Sequence, residues 1–290
     1  MKSHQKTTSI LSPLLFLFLL PQSSSANSDY ATLVYKLCSN QKYTDSTGTF
    51  SETLSSLLAT LVSQSSYFKF FKTSVSDIDQ ILTLSGLYQC RGDLNLPECF
   101  DCINSLRFMS YRFCSQSTSA LIQLSGCYLK FSTKNYDGVY ESSDQVLYNT
   151  CHGEKPAITE LDQSREAAFL ALEREFVMGV DGFYRNQYGP VYLMVQCEGD
   201  LGERECSKCV SDAVQSAETE CVGSDSGQVY FDKCFLGFGC YPNSFPGDSY
   251  RDVIDNGNTG RTVAIVVGVG AALFFAFMFV MCVKSMKKKT

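Results

Sequence analysis

The sequence predicts an α+β chain: two tandem disulfide-stapled modules, each with two helices packed on an antiparallel sheet, followed by a single transmembrane helix. Three observations carry this prediction. Fourteen cysteines fall at spacings that repeat once along the chain. Apolar stripes at helical spacing alternate with short strand-like runs in both halves. An unbroken apolar run of 21 residues, Val263 to Val283, lies near the C-terminus.

Residues 1–26 read as a secretory signal peptide. Lys2 and Lys6 precede the apolar run Leu14 to Leu20, Pro21 ends it, and Ser24 and Ala26 are the small residues that cleavage needs. The run is too short to span a bilayer.

The cysteines then set the architecture. Cys38, Cys90, Cys99, Cys102, Cys114 and Cys127 belong to the first half, and Cys151, Cys197, Cys206, Cys209, Cys221 and Cys234 to the second. From the second cysteine of each set the steps are 9, 3, 12 and 13, and adding 107 maps one set onto the other. This is a duplicated module, spanning residues 27–134 and 139–240. The first step differs, 52 residues against 46, as a loop insertion would produce. A chain that enters an oxidising compartment makes disulfides the default reading. The Cys-x-x-Cys pairs lack the second pair or the histidines of a zinc ribbon, so no metal site is expected. Spacing alone leaves fifteen connectivities per module.

Each module has a consistent body. Thr49-Phe50-Ser51-Glu52 reads as a capping box. Leu54, Leu57, Leu58, Leu61 and Val62 follow as one helical stripe, and Ala168, Phe169, Leu172 and Phe176 form its counterpart. A second helix carries Cys99 and Cys102 on one face with Leu106 and Met109; its partner carries Cys206, Cys209, Ala213 and Ala217. Strand-like runs are Leu33 to Cys38, Leu87 to Cys90 and Ala120 to Phe131, then Val146 to Cys151, Tyr192 to Cys197 and Gln228 to Phe238. Helices on one face of an antiparallel sheet are the economical way to bury these stripes.

A stalk, residues 241–260, leads to the span at 261–283. At about 1.5 Å per residue the apolar run covers the roughly 30 Å hydrocarbon core. Lys284, Lys287, Lys288 and Lys289 crowd its far side, so the tail of residues 284–290 is expected in the cytosol and the modules outside. Ala264, Gly268, Ala272 and Ala276 recur every four residues and form a small-residue face that suits lateral pairing. Cys282, at the cytosolic edge, reads either as an acylation site or as a buried thiol. The terminal lysines also fit a loose retrieval pattern for the endoplasmic reticulum.

Composition narrows the functional classes. Two histidines rule out a site built on several, and no nucleophile–base pair, phosphate loop or carboxylate pair stands out. Asp77, Asp79, Glu173 and Glu175 read as solvated charges. No catalytic residue and no cofactor is expected. Six of the 24 basic residues lie in the end segments and all 30 acidic residues lie between them, which leaves the middle at −12. Nucleic acid and acidic wall polysaccharide are poor partners for such a surface.

The Cys-x8-Cys-x2-Cys cores, Cys90/Cys99/Cys102 and Cys197/Cys206/Cys209, resemble the plant ginkbilobin-like cysteine-rich (salt-stress/antifungal) domain. Two such domains behind a signal peptide, with one span and a tiny tail, resemble the plasmodesmata-located protein family. That resemblance implies the bridges Cys38–Cys114, Cys90–Cys99 and Cys102–Cys127, then Cys151–Cys221, Cys197–Cys206 and Cys209–Cys234. Cys240 is left over, as a free thiol or an interchain link. The mannose-binding Asn, Arg and Glu of ginkbilobin-like lectins are replaced by Ser39, Leu121 and Ser132 in the first module. In the second they are replaced by His152, Gln228 and Gly239, so no mannose site is expected. The resemblance further implies a non-enzymatic type I protein of the plasma membrane at plasmodesmata. It would modulate cell-to-cell trafficking, with callose-synthesis machinery, viral movement proteins or other family members as partners, and homo- or hetero-oligomers are possible states. The alternative is an apoplastic sensor or co-receptor that recruits a receptor kinase.

Overall fold

A computed structural model describes residues 29–133, 145–153, 160–176 and 182–240. The expected signal peptide, the stalk, the span with Ala264, Gly268, Ala272 and Ala276, and Cys282 lie outside the described residues. Among the described residues no helix is long and apolar enough to cross a membrane.

The first module runs β1 (Leu33–Cys38), α1 (Thr49–Gln64), β2 (Phe70–Ser76), β3 (Thr83–Cys90), α2 (Leu96–Cys114), β4 (Ser119–Leu124) and β5 (Cys127–Thr133). The second repeats it as β6 (Tyr148–His152), α3 (Glu160–Glu175), β7 (Phe183–Tyr188), β8 (Val191–Cys197), α4 (Glu203–Glu220), β9 (Ser226–Tyr230) and β10 (Cys234–Gly239). The sheet orders, β1-β4-β5-β3-β2 and β6-β9-β10-β8-β7, are the same, and every pairing is antiparallel. The α+β duplication therefore holds.

Side chains alternate across each sheet because successive strand residues point to opposite faces. Leu84, Tyr88, Leu129 and Phe131 face the helices and join Leu54, Leu57, Leu58 and Leu61 of α1 with Ile103 and Leu106 of α2 in one buried core. Ala168, Phe169 and Leu172 of α3 do the same with Val210, Ala213 and Ala217 of α4. Met109 and Phe176 are only partly buried at the margins of these cores.

Each Cys-x-x-Cys pair lies inside a helix and staples it to two strands. Cys99 is bridged to Cys90 at the end of β3, and Cys102 to Cys127 at the start of β5. Cys206 and Cys209 hold α4 to Cys197 and Cys234 in the same way. Cys38–Cys114 and Cys151–Cys221 tie the first strand of each module to the end of its second helix.

The structure departs from the sequence reading at several elements. Ala120 to Phe131 is two strands, because the chain turns at Ser125 and Gly126, whose amides donate to the carbonyls of Thr32 and Tyr30. Gln228 to Phe238 is likewise split between Tyr230 and Cys234. The edge strands β2 and β7 carry no strong alternation and are absent from the sequence reading. The six-residue difference between modules falls in their hairpins, which turn through residues 77–82 in one and 189–190 in the other.

The capping box at Thr49 is also corrected. The N-cap position of α1 is Gly48, in the left-handed region at φ 80°, and no cap side chain bonds there. Asp45 instead accepts the amides of Phe50 and Ser51 at 3.0 and 2.9 Å and the Ser51 hydroxyl. A carboxylate satisfies two amides at once and complements the helix dipole, which a threonine hydroxyl does not. The Ser51 hydroxyl, then the amides, hold the Asp45 carboxyl below its usual range despite some desolvation. A depressed carboxyl stabilises the fold above its unfolded pKa and loses that contribution as pH falls. Asp45→Ala is therefore expected to lower the melting temperature at pH 7, with the gap to wild type closing as pH drops below about 4. A gap constant down to pH 2 would show that the ionised carboxylate is not what holds the helix start. The true capping box is at α2, where Asn95 Oδ1 accepts from Glu98 N and Glu98 Oε2 accepts from Asn95 N, at 2.9 and 2.8 Å.

Candidate functional site at the seam between the modules

The sheet faces turned away from the helices meet each other, so the described body has four layers, helices–sheet–sheet–helices. The seam is nearly two-fold symmetric. Gln89 donates to the Cys197 carbonyl at 2.9 Å and accepts from Gly199 N at 3.0 Å. Its repeat equivalent Gln196 donates to the Cys90 carbonyl at 3.1 Å and accepts from Gly92 N at 3.2 Å. Both glutamines are buried, so each saturates backbone groups that strand ends would otherwise leave unpaired. Tyr35 stacks on its equivalent Tyr148 with ring centroids 5.1 Å apart. Lys72 pairs with Asp200 at 3.1 Å, and Arg185 faces Asp93 at 3.9 Å. Burial opposes ionisation of Asp200, but the Lys72 bond and charge outweigh it and hold the carboxyl below its usual range.

The two glycines that follow these glutamines admit no side chain. A Cβ on Gly92 would lie 2.3 Å from Cγ and 2.4 Å from Cβ of Phe183; one on Gly199 would lie 2.6 Å from Cγ of Phe70. Rotating Phe183 cannot relieve the first clash, because its own Cβ is fixed by the backbone of β7. Gly92→Ala is expected to cost about 1–3 kcal/mol, as overpacking does in a closed core. Gly202→Ala, which meets only Glu205 Oε2 at 3.6 Å and loses no more than a helix N-cap preference, is the smaller-effect control. Equal denaturation midpoints for the two variants would mean that the modules part freely.

The charges break the symmetry. Arg91 of the first module corresponds to Glu198 of the second. Arg91 lies 2.7 Å from Asp93 and donates to the Ser125 carbonyl, both in its own module. Glu198 instead crosses the seam. It lies 2.8 Å from Lys130 and accepts the Tyr128 hydroxyl at 2.9 Å, while Lys130 also lies 2.9 Å from Asp232 and donates to its carbonyl. The Glu198 and Lys130 side chains are only 4% and 14% exposed. Burial first, then the neighbouring Glu198 charge, pushes the Tyr128 phenol well above its ordinary value. The cavity left among these groups has about 30 Å³. That admits a water or two and no sugar ring. The seam is a lock between modules rather than a ligand pocket.

Other sequence-derived positions fall elsewhere. Cys240 is a free thiol, 8% exposed at the edge of the second core, so an interchain link there requires that edge to open. Burial, with Asp225 nearby, pushes its thiol up. Leu121 is buried in the seam beside Tyr35 and Tyr230, Ser39 is buried, and His152 is exposed with its ring beside the Thr150 hydroxyl. Asp77 accepts from Leu82 N in its hairpin, Glu173 from the Ser211 hydroxyl and Glu175 from the Tyr188 hydroxyl. Among the described residues no group of three or more His, Cys, Asp or Glu is placed to hold a metal ion.

Comparison with known proteins gives this arrangement a lineage. A family model described as salt stress response/antifungal matches twice, over residues 37–134 and 143–241. The chain is 36% identical over 281 residues to plasmodesmata-located protein 2 of Arabidopsis thaliana, covering 91% of this chain and 90% of that protein. It is 34% identical over 292 residues to plasmodesmata-located protein 1 of the same plant, covering 95% of each. Among solved structures, the tandem DUF26 ectodomain of the Arabidopsis thaliana cysteine-rich receptor-like protein PDLP8 superimposes with a TM-score of 0.64 at 26% identity, covering 72% of this chain and 98% of that one. With two matched domains and relatives aligned nearly end to end, the chain belongs to the plasmodesmata-located protein family.

Proposed function

We propose that this chain is a non-enzymatic binding protein of plasmodesmata that helps set cell-to-cell trafficking. The observation that carries the reading is the family match over nearly the whole chain, which joins it to relatives named for that location. The seam supports a scaffold role: two modules held by buried, reciprocal bonds present their outer faces at fixed positions to partners. In this reading the apolar segment at 263–283 anchors the ectodomain in the plasma membrane. Callose-synthesis machinery, receptor kinases and viral movement proteins are the partners this role implies.

A C-terminal fluorescent fusion imaged in leaf epidermis with callose counterstained tests the proposal. Paired puncta across shared walls, coincident with callose, are expected. An even plasma-membrane signal would favour the apoplastic co-receptor instead. A reticular pattern would point to retrieval by the terminal lysines and overturn the plasmodesmal reading.

A further inference from the structure

The outer helix faces of the two modules carry opposite chemistry at positions that the repeat makes equivalent. On α2, Phe108 and Tyr111 are exposed, Phe108 to 65%. Arg107 lies one turn before Tyr111 and Arg112 one turn after Phe108, so each guanidinium borders one of the exposed rings. Lys36 of β1 places Nζ 4.1 Å from the centre of the Phe113 ring, and the Arg112 guanidinium lies 5.6 Å from the same ring. Two cations thus flank one aromatic ring beside two exposed ones.

The same places in the second module read differently. Phe108 becomes Gln215, Tyr111 becomes Glu218, Arg112 becomes Thr219 and Phe113 becomes Glu220. Where Lys36 covers a ring, its equivalent Asn149 donates to Glu220 at 3.4 Å. The acidic face continues onto α3, where Glu166 and Glu173 bracket Leu170, itself 46% exposed. Burial first, then the charges of Glu173 and Glu166, raises the Glu218 carboxyl, so this crowding works against the isolated fold. Among the described residues, Lys36, Arg107, Arg112, Glu166 and Glu218 form no ion pair. Charge is divided in the same sense over whole modules. Residues 27–134 hold nine basic and eight acidic side chains, whereas residues 139–240 hold seven and eighteen.

We propose that the cation–aromatic face of α2 docks on the acidic face of α3 and α4 in a second copy of this chain. Both halves of the contact are then on one molecule. Guanidinium groups meet carboxylates, and the exposed rings meet Leu170. Because the two faces lie on opposite outer layers of the four-layer body, the contact is head to tail and propagates instead of closing into a dimer. It yields a row of ectodomains and does not depend on where in the cell the chain resides.

Sedimentation of the full-length chain in detergent, at 50 and 500 mM NaCl, tests this. Association at low salt is expected to weaken about tenfold or more at high salt, because exposed charges are screened over shorter distances. The reversals R107E/R112E and E173R/E218R should each abolish it. Mixed in equal amounts, the two variants should associate again, since the native pair of faces and the charge-swapped pair are both complementary. Unchanged unfolding midpoints would show that the reversals leave the fold intact. If a double reversal disturbs folding, the single changes Arg112→Gln and Glu218→Gln carry the same comparison. Association untouched by salt and by both reversals would place the contact elsewhere, such as the apolar segment at 263–283, and would overturn the proposal. So would a chain that stays monomeric yet binds polygalacturonate through Arg107 and Arg112, which would make the partner a polyanion.

Discussion

Replacing Lys130 by alanine is expected to destabilise the ectodomain by about 3–5 kcal/mol, the usual cost of removing one partner from a buried charge cluster. Glu198 and Asp232 lie 2.8 and 2.9 Å from its Nζ with side chains 4% and 10% exposed, so neither gains water when the cation goes. The loss should concentrate at the seam, since Lys130 sits on the sheet face away from the helix core. Acid should narrow the deficit, because protonation discharges a carboxylate that has lost its counter-ion. The chain has 16 tyrosines and no tryptophan, so tyrosine fluorescence and near-ultraviolet circular dichroism in urea are the readouts. The triple change Lys130→Met, Glu198→Gln, Asp232→Asn removes all the charge together and is expected to recover most of the loss. A deficit under about 1 kcal/mol for Lys130→Ala would mean that water enters the seam and screens the cluster as it does a surface pair.

That cluster also explains why the seam joins the first module to the second and not each to its own kind. The symmetric bonds of Gln89 and Gln196, and the Tyr35–Tyr148 stack, would form equally well between two copies of one module. The charges would not. Two first modules would bring Lys130 together with Arg91 and no carboxylate in place of Glu198. Two second modules would bring Glu198 and Asp232 together with Gly237 where Lys130 stands. Buried like charges without a counter-ion are strongly unfavourable, so the broken symmetry selects the pairing within one chain.

The duplication and the helix stripes are legible in the sequence because periodicity and cysteine spacing are local signals. The bridges follow only from the family resemblance, since spacing leaves fifteen connectivities per module. The seam is not legible. Gln89, Gln196, Lys130 and Glu198 look like ordinary polar strand residues, and only the crossing of two sheets makes them partners. Subtracting the module offset would have pointed at Gln89 and Gln196, and at Gly92 and Gly199, as the same residues kept in both copies. It would also have found that Phe108, Tyr111 and Arg112 give way to Gln215, Glu218 and Thr219. Net charge misled in a related way. The figure of −12 for the middle of the chain hides a nearly neutral first module, and with it the cation–aromatic face of α2. At the start of α1, Thr49 and Glu52 fit the capping-box pattern, whereas Asp45, placed by the loop before Gly48, holds the amides.

Removing the Cys38–Cys114 bridge, as C38A/C114A, is expected to cost about 4–5 kcal/mol, against about 3 kcal/mol for C90A/C99A. The first closes 76 residues of chain and the second 9, so the first restricts the unfolded ensemble far more. Its location strengthens the expectation, because β1 is an edge strand paired only with β4. Without the bridge, that edge is held by its ladder and by the Tyr35–Tyr148 stack, and β1 belongs to the seam as well as to its own sheet. Loss of the bridge should therefore loosen both modules, with protection of the Gln89 and Gln196 side-chain amides falling alongside the global midpoint. Cys90, Cys99 and Cys114 are fully buried and Cys38 only partly so, so C90A/C99A adds a somewhat larger packing loss than C38A/C114A. If the two variants rank in the opposite order, packing of the sulfurs rather than restraint of the unfolded chain governs the stability of these modules. The same reasoning then extends to Cys197–Cys206, whose 9-residue loop and buried sulfurs repeat those of Cys90–Cys99.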